Sequence, residues 1–223
     1  MTGQKKLVRK IYLIPGMGAD TRIFNHIELN ESDEVTCIDW IEPHKTDTLS
    51  TYAQKLIFQY YIEPNAVIIG NSLGGMLAIE MAKFMPVQKV ILISSIRTVD
   101  EAPGYFKLFR KLPVYKLIPS AWMIKMRFLI RLAFGKMSAE DRWLFQDMLK
   151  NTSPTFLKWS MGAVLRWDNK TIPPNVYHMS GDKDKVFSYK KLKAAEIVKG
   201  GTHIMIFDKA KQINKILKRI LSK

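Results

Sequence analysis

Ala66-Val67-Ile68-Ile69-Gly70-Asn71-Ser72-Leu73-Gly74 is the stretch that decides the fold. It opens on an apolar run with no alternation, the pattern of a strand covered on both faces. It closes on G-x-S-x-G, and Met76-Leu77-Ala78-Ile79-Glu80-Met81 leaves it directly as a helix. The five-residue pattern alone is weak: at average Gly and Ser usage, chance supplies it in roughly one chain in 15 of this length. A strand running in and a helix running out make it a sharp turn that holds a serine at strained backbone angles. A side chain at position 70 or 74 would then collide with neighbouring backbone, which accounts for both glycines. Such a turn lifts the Ser72 hydroxyl clear of the sheet. It also sets that hydroxyl at a helix N-terminus, where developing negative charge is favoured. The plainer reading is a glycine-rich turn with a serine cap.

Outward from this turn, strands and helices alternate. The sequence predicts strands at Val8–Ile14, Glu34–Trp40, Ala66–Gly70, Lys89–Ser94, Asn175–Met179 and Ala194–Val198. It predicts helices at Leu49–Tyr61, with Ser50 or Thr51 near the N-cap, and at Leu73–Met85, stopped by Pro86. A C-terminal amphipathic helix is expected at Lys209–Leu221, with Ile213, Ile216, Leu217 and Ile220 at helical spacing. This rhythm argues an α/β chain, a mostly parallel sheet with helices on both faces. It breaks between Ile96 and Thr171, where no convincing strand occurs and helices are expected at Ala121–Phe134, Ala139–Asn151 and Thr155–Leu165. Residues 97–170 are therefore read as a helical cap inserted into a core made of residues 1–96 and 171–223.

The 223 residues, 47% hydrophobic and 25% charged, suit one domain that needs no disulfide or metal to hold it. Cys37, the single cysteine, can form neither an internal bridge nor a zinc cluster; it is expected to be a buried small hydrophobe. The basic N-terminus lacks the apolar stretch of a signal peptide, and no apolar run approaches the roughly 18 residues of a membrane span. A cytoplasmic location is expected. The net charge of +15 favours acidic partners. Gly16-Met17-Gly18 follows a strand, but the third glycine of a dinucleotide loop would fall at Thr21, so a nucleotide site is not indicated.

A serine hydroxyl needs a base to become a nucleophile. Of the four histidines, His203 lies in Gly200-Gly201-Thr202-His203, after the last strand and before the last helix. His178 falls inside a strand and is expected to be packed; His26 and His44 read as loop or surface residues. Two carboxylates compete as the acid in Gly181-Asp182-Lys183-Asp184, with Asp182 readable as a turn residue, and Asp100 is a third candidate.

These motifs, in this order, resemble the α/β-hydrolase family, here shortened at the N-terminus, over nearly the whole chain outside the helical insertion. The resemblance implies Ser72 as nucleophile, His203 as base and the Asp of Gly-x-x-Asp, hence Asp184, as acid. It implies an oxyanion hole made of the backbone amides of Leu73 and Met17. Pro15 stands where many relatives carry a histidine, a departure that leaves backbone donors intact. The implied reaction is hydrolysis of a carboxylic ester or thioester through an acyl-enzyme, with no metal or organic cofactor. The same fold and residues also suit C–C hydrolysis, lyase or perhydrolase chemistry, and the remaining alternative is a non-enzymatic ligand-binding protein on a hydrolase scaffold.

Between Ala102 and Ala139 stand Lys107, Arg110, Lys111, Lys116, Lys125, Arg127, Arg131 and Lys136, with no acidic residue among them. Aromatic and apolar residues such as Tyr105, Phe106, Phe109, Tyr115, Trp122, Phe128 and Phe134 lie between. One reading is a solvated helical face over an apolar underside. The other is a greasy pocket for an acyl chain with a cationic rim that docks an acidic carrier protein, a CoA phosphate or an anionic lipid surface. The resemblance includes carboxylesterases acting on methyl esters of acyl chains held by acyl carrier protein. No nucleic-acid motif accompanies the charge, so nucleic acid is not an expected partner.

Overall fold

The computed structural model describes residues 8–112 and 137–222. Six strands form one parallel sheet: β1 (Lys10–Ile14), β2 (Glu34–Cys37), β3 (Val67–Asn71), β4 (Lys89–Ile93), β5 (Val176–Gly181) and β6 (Glu196–Val198). Their order is β2-β1-β3-β4-β5-β6, with β1 and β3 in register from Ile11–Val67 to Ile14–Gly70. The three inner strands that read as continuous apolar runs are buried on both faces, as such sequences require. Alternate side chains serve alternate faces. Tyr12, Ile14, Ile68, Val90 and Leu92 pack in one core with α1 (Leu49–Gln59) and α2 (Leu73–Met81). Ile11, Leu13, Val67, Ile69, Ile91 and Ile93 pack in the other with α6 (Met205–Asp208) and α7 (Ala210–Leu221). At about 1.5–3 kcal/mol per fully buried Ile or Leu, these two layers supply most of the driving force.

Two expectations fail at the edge of the sheet. The second strand ends at Cys37 rather than Trp40, and Cys37 is exposed rather than buried. β2 pairs on one side only, with β1, so its side chains are less covered than those of the inner strands. Helix α1 is capped by Thr48, not by Ser50 or Thr51. The Thr48 hydroxyl accepts from the Thr51 amide at 3.1 Å, and the Thr51 hydroxyl accepts from the Thr48 amide at 2.9 Å, a reciprocal capping box. Helix α2 ends at Met81 and continues only as tight turns, with Lys83 and Phe84 amides donating to Glu80 and Met81 carbonyls.

Between β4 and β5 lie α3 (Gly104–Lys111), α4 (Ala139–Asn151) and α5 (Pro154–Arg166), close to two of the three helices expected there. The third, Ala121–Phe134, lies outside the described residues, as do Lys116, Lys125, Arg127, Arg131 and Lys136. Among the described residues of 97–170 there is no strand. Helix α5 joins the core on the α1 side through Phe156, Trp159 and Ala163. The Trp159 and Tyr52 rings lie 4.4 Å apart, and Trp159 Nε1 donates to the Asp47 carbonyl at 2.9 Å. Just past α5, Trp167 Nε1 donates at 2.7 Å to Glu80, a buried carboxylate on α2. Among the described residues no helix is long and apolar enough to cross a membrane.

Candidate active site

Ser72 stands between β3 and α2 with φ 50° and ψ −113°, a left-handed conformation that costs a non-glycine residue about 1–3 kcal/mol. The turn is enforced by close backbone packing. A Cβ at Gly74 would lie 2.1 Å from the Ile14 carbonyl oxygen and 2.5 Å from that of Pro15; one at Gly70 would lie 2.3 Å from Gly74 backbone. The elbow therefore sits hard against the loop that leaves β1, as the glycines foretold. That loop carries Met17, whose amide, like the amide of Leu73, makes no protein hydrogen bond among the described residues.

His203 comes to the elbow on the loop after β6. Its Nε2 lies 2.9 Å from Ser72 Oγ and its Nδ1 lies 2.9 Å from Asp184 Oδ2. With the carboxylate accepting from Nδ1–H, Nε2 is left as the acceptor for the serine hydroxyl. The other Asp184 oxygen accepts from the amides of Val186 at 2.8 Å and Phe187 at 2.9 Å. This carboxylate is fully shielded from solvent, which strengthens its hold on the ring. The Phe187 ring meets the imidazole edge to face at 5.4 Å. The loops that carry acid and imidazole touch at the backbone: a Cβ on Gly181 would lie 2.0 Å from the Gly201 carbonyl oxygen, and Lys183 N donates to that oxygen at 2.8 Å.

The competing carboxylates are elsewhere. Asp182 accepts from the Gly200 amide at 2.6 Å, the turn role expected of it, and Asp100 is exposed in a short 3-10 turn, Val99–Glu101. His26 and His44 are exposed. His178 is buried in β5, with Nε2 3.0 Å from the Ser95 carbonyl oxygen, and burial pushes its pKa down to about 4. Ser95 itself went unnoticed in the sequence. Its hydroxyl donates to the Ser72 carbonyl at 2.6 Å, across 23 residues, and no local pattern marks such a bond.

Helix α4 leans on the loop after β1. Met148 Sδ accepts from the Asp20 amide at 3.5 Å, and Arg22 bridges Asp20 and Asp147. A cavity of about 260 Å³ opens there, lined by Ala19, Trp40, Met148 and Phe156 and by Asp20, Asp39 and Glu42; none of Ser72, Asp184 and His203 lines it. The larger cleft, about 740 Å³, lies between Arg9 and the α7 lysines Lys211, Lys215 and Lys218, and none of Ser72, Asp184 and His203 lines it. Arg110, counted above among the basic residues of the insertion, is taken up by the carbonyls of Leu165 and Trp167 at the end of α5. Among the described residues no group of three His, Cys, Asp or Glu side chains is placed to hold a metal ion.

Sheet order, elbow and the Ser72–His203–Asp184 chain define a class. The sequence profile of the alpha/beta hydrolase family matches residues 11–216, and the chain belongs to that family of hydrolases. The fold is similar to an enol-lactonase from Burkholderia xenovorans, with a TM-score of 0.74 and 14% identity over 97% of this chain and 92% of that one. It is similar to a carboxylesterase from Nitrososphaera gargenis, with a TM-score of 0.70 and 16% identity over 97% and 90% of the two chains. An esterase from Exiguobacterium antarcticum gives a TM-score of 0.68 and 17% identity over 96% and 92%. No curated protein matches the sequence.

Proposed function

We propose that this hydrolase cleaves a carboxylic ester or thioester through an acyl-enzyme on Ser72. The observation that carries this reading is the continuous hydrogen-bonded chain from Ser72 Oγ to His203 to Asp184, 2.9 Å at each step. His203 takes the serine proton as Oγ attacks the carbonyl carbon. The oxyanion that forms is met by the amides of Leu73 and Met17. His203 returns the proton to the leaving group, and the acyl-enzyme forms. Water then gives up a proton to the same nitrogen and attacks the acyl carbon; as the acyl–oxygen bond breaks, His203 returns that proton to Ser72 Oγ, freeing the serine and a carboxylic acid. Asp184 stabilises the imidazolium at both stages.

Residues 97–170 act in this reading as a cap, of which α5 also completes the core. An apolar acyl part for the substrate is read from Trp40, Met148 and Phe156, which wall the cavity beside the loop after β1; none of Ser72, Asp184 and His203 lines that cavity. The surplus of positive charge supports an acidic carrier or an anionic lipid surface as the source of that acyl group, in the cytoplasm. A p-nitrophenyl ester series tests the substrate class: kcat/KM is expected to peak at medium acyl length, and activity confined to acetate would contradict the acyl pocket. Replacing Lys107 and Lys111, both exposed on α3, by Glu should slow carrier-linked acyl substrates and spare small esters. Equal effects on both would contradict the carrier reading.

A further inference from the structure

Ser95 follows β4 and is fully buried. Its hydroxyl donates to the carbonyl oxygen of Ser72 at 2.6 Å. The same oxygen accepts from two amides of α2, Gly75 N at 3.0 Å and Met76 N at 3.3 Å, so Ser95 is the donor that comes from outside the helix. The peptide that joins Ser72 to Leu73 is planar and trans. Its C=O and N–H therefore point in opposite directions and turn as one rigid body. A hydrogen bond that pins the Ser72 oxygen also aims the Leu73 N–H, and by polarising the amide it makes that N–H a stronger donor. Behind Ser95 stands His178, whose ring N–H holds the Ser95 carbonyl at 3.0 Å. The ring is buried and stays neutral at neutral pH, so the bond it gives is constant across the range in which the enzyme would work.

We propose that Ser95 is a positioning residue for the oxyanion hole: its hydroxyl fixes and polarises the Ser72–Leu73 peptide, aiming Leu73 N–H at the developing oxyanion, with His178 bracing Ser95 from behind. This rests on the reading of Ser72 as nucleophile and of Leu73 N–H as oxyanion donor. Ser95 touches no reacting atom. Its effect falls on the tetrahedral state, in which the oxyanion needs a well-aimed donor, and hardly on the bound ester, whose carbonyl carries less charge.

The test is Ser95→Ala, assayed on p-nitrophenyl butyrate and against butylboronic acid, a tetrahedral mimic. Kcat is expected to fall about tenfold with KM within about twofold, a smaller loss than deletion of an oxyanion donor outright. Boronate affinity should fall by the same factor, and the pH at which kcat/KM is half-maximal should not move. His178→Gln, which keeps an N–H donor, should retain more activity than His178→Leu. An unchanged kcat, or a loss in kcat with boronate affinity intact, would overturn the proposal. If Ser72→Ala is inactive and the wild type binds boronate while Ser95→Ala behaves as wild type, this inference alone falls. If Ser72→Ala stays active, the reading of the site falls with it.

Discussion

The loops at the carboxyl ends of β3, β5 and β6 and the helices between β4 and β5 are built on different principles. The loops are fixed by backbone meeting backbone: Gly74 against Ile14 and Pro15, Gly181 against Gly201, and Ser72 held at φ 50°. The helices are fixed largely by side chains meeting side chains, as with Phe156 and Trp159 of α5 against Tyr52, or Asp147 of α4 against Arg22. Backbone contacts tolerate almost no substitution and put atoms in place to within a fraction of an ångström. Side-chain contacts tolerate repacking at a graded cost. If Ser72, His203 and Asp184 act as proposed, the chemistry sits on the first kind of structure and the proposed cap on the second.

The sharpest contrast is at Ser72. Ser72→Ala is expected to lower kcat/KM by about 10⁴-fold or more while leaving the melting temperature nearly unchanged, read by ester hydrolysis beside thermal unfolding. Asp184→Asn should lose most of the activity too, and Asp182→Asn little of it. Gly74→Val strikes the same turn through its backbone. A Cβ 2.1 Å from a carbonyl oxygen leaves no room, so a loss above about 4 kcal/mol, or failure to fold, is expected in urea unfolding. A stable Gly74→Val protein would break the comparison at its foundation.

A pH effect of intermediate size belongs to the site end. Burial holds the His178 pKa at about 4 against an ordinary 6.5, so as pH falls the unfolded chain takes up its proton first. This contribution is intact above pH 6.5 and is lost as pH falls from 6.5 to 4, to a total of about 3 kcal/mol. Urea unfolding at pH 7.5, 5.5 and 4.5 should show the wild type losing more stability than His178→Gln; parallel curves would contradict this. On the helical side, Met148→Ala should cost about 2–3 kcal/mol and leave a folded protein, since the cavity it opens can partly collapse. Trp143, largely exposed on α4, should cost under about 0.5 kcal/mol when replaced by Ala.

What the sequence revealed follows the same division. That Ser72, Asp184 and His203 come together was legible because each rides on a short motif with a glycine where backbones touch, and such motifs are local. The inner strands were legible because burial on both faces leaves a continuous apolar run. Cys37 was misread because edge position is a property of the topology, not of the seven residues around it. The role of Ser95 was invisible because its partner lies 23 residues away and its own neighbours say nothing of it. Thr48 was passed over as the cap of α1 because Ser50 and Thr51 offered equally suitable hydroxyls within three positions.

A nucleophilic Ser72, activated by His203 and Asp184, should react with a phosphonylating reagent. Intact-mass analysis after treatment with a fluorophosphonate, followed by peptide mapping, tests it most directly. A single adduct is expected on the folded wild type, located at Ser72, absent in Ser72→Ala and much slower to form in His203→Gln. No adduct on the folded wild type, or an adduct that persists in Ser72→Ala, would contradict it.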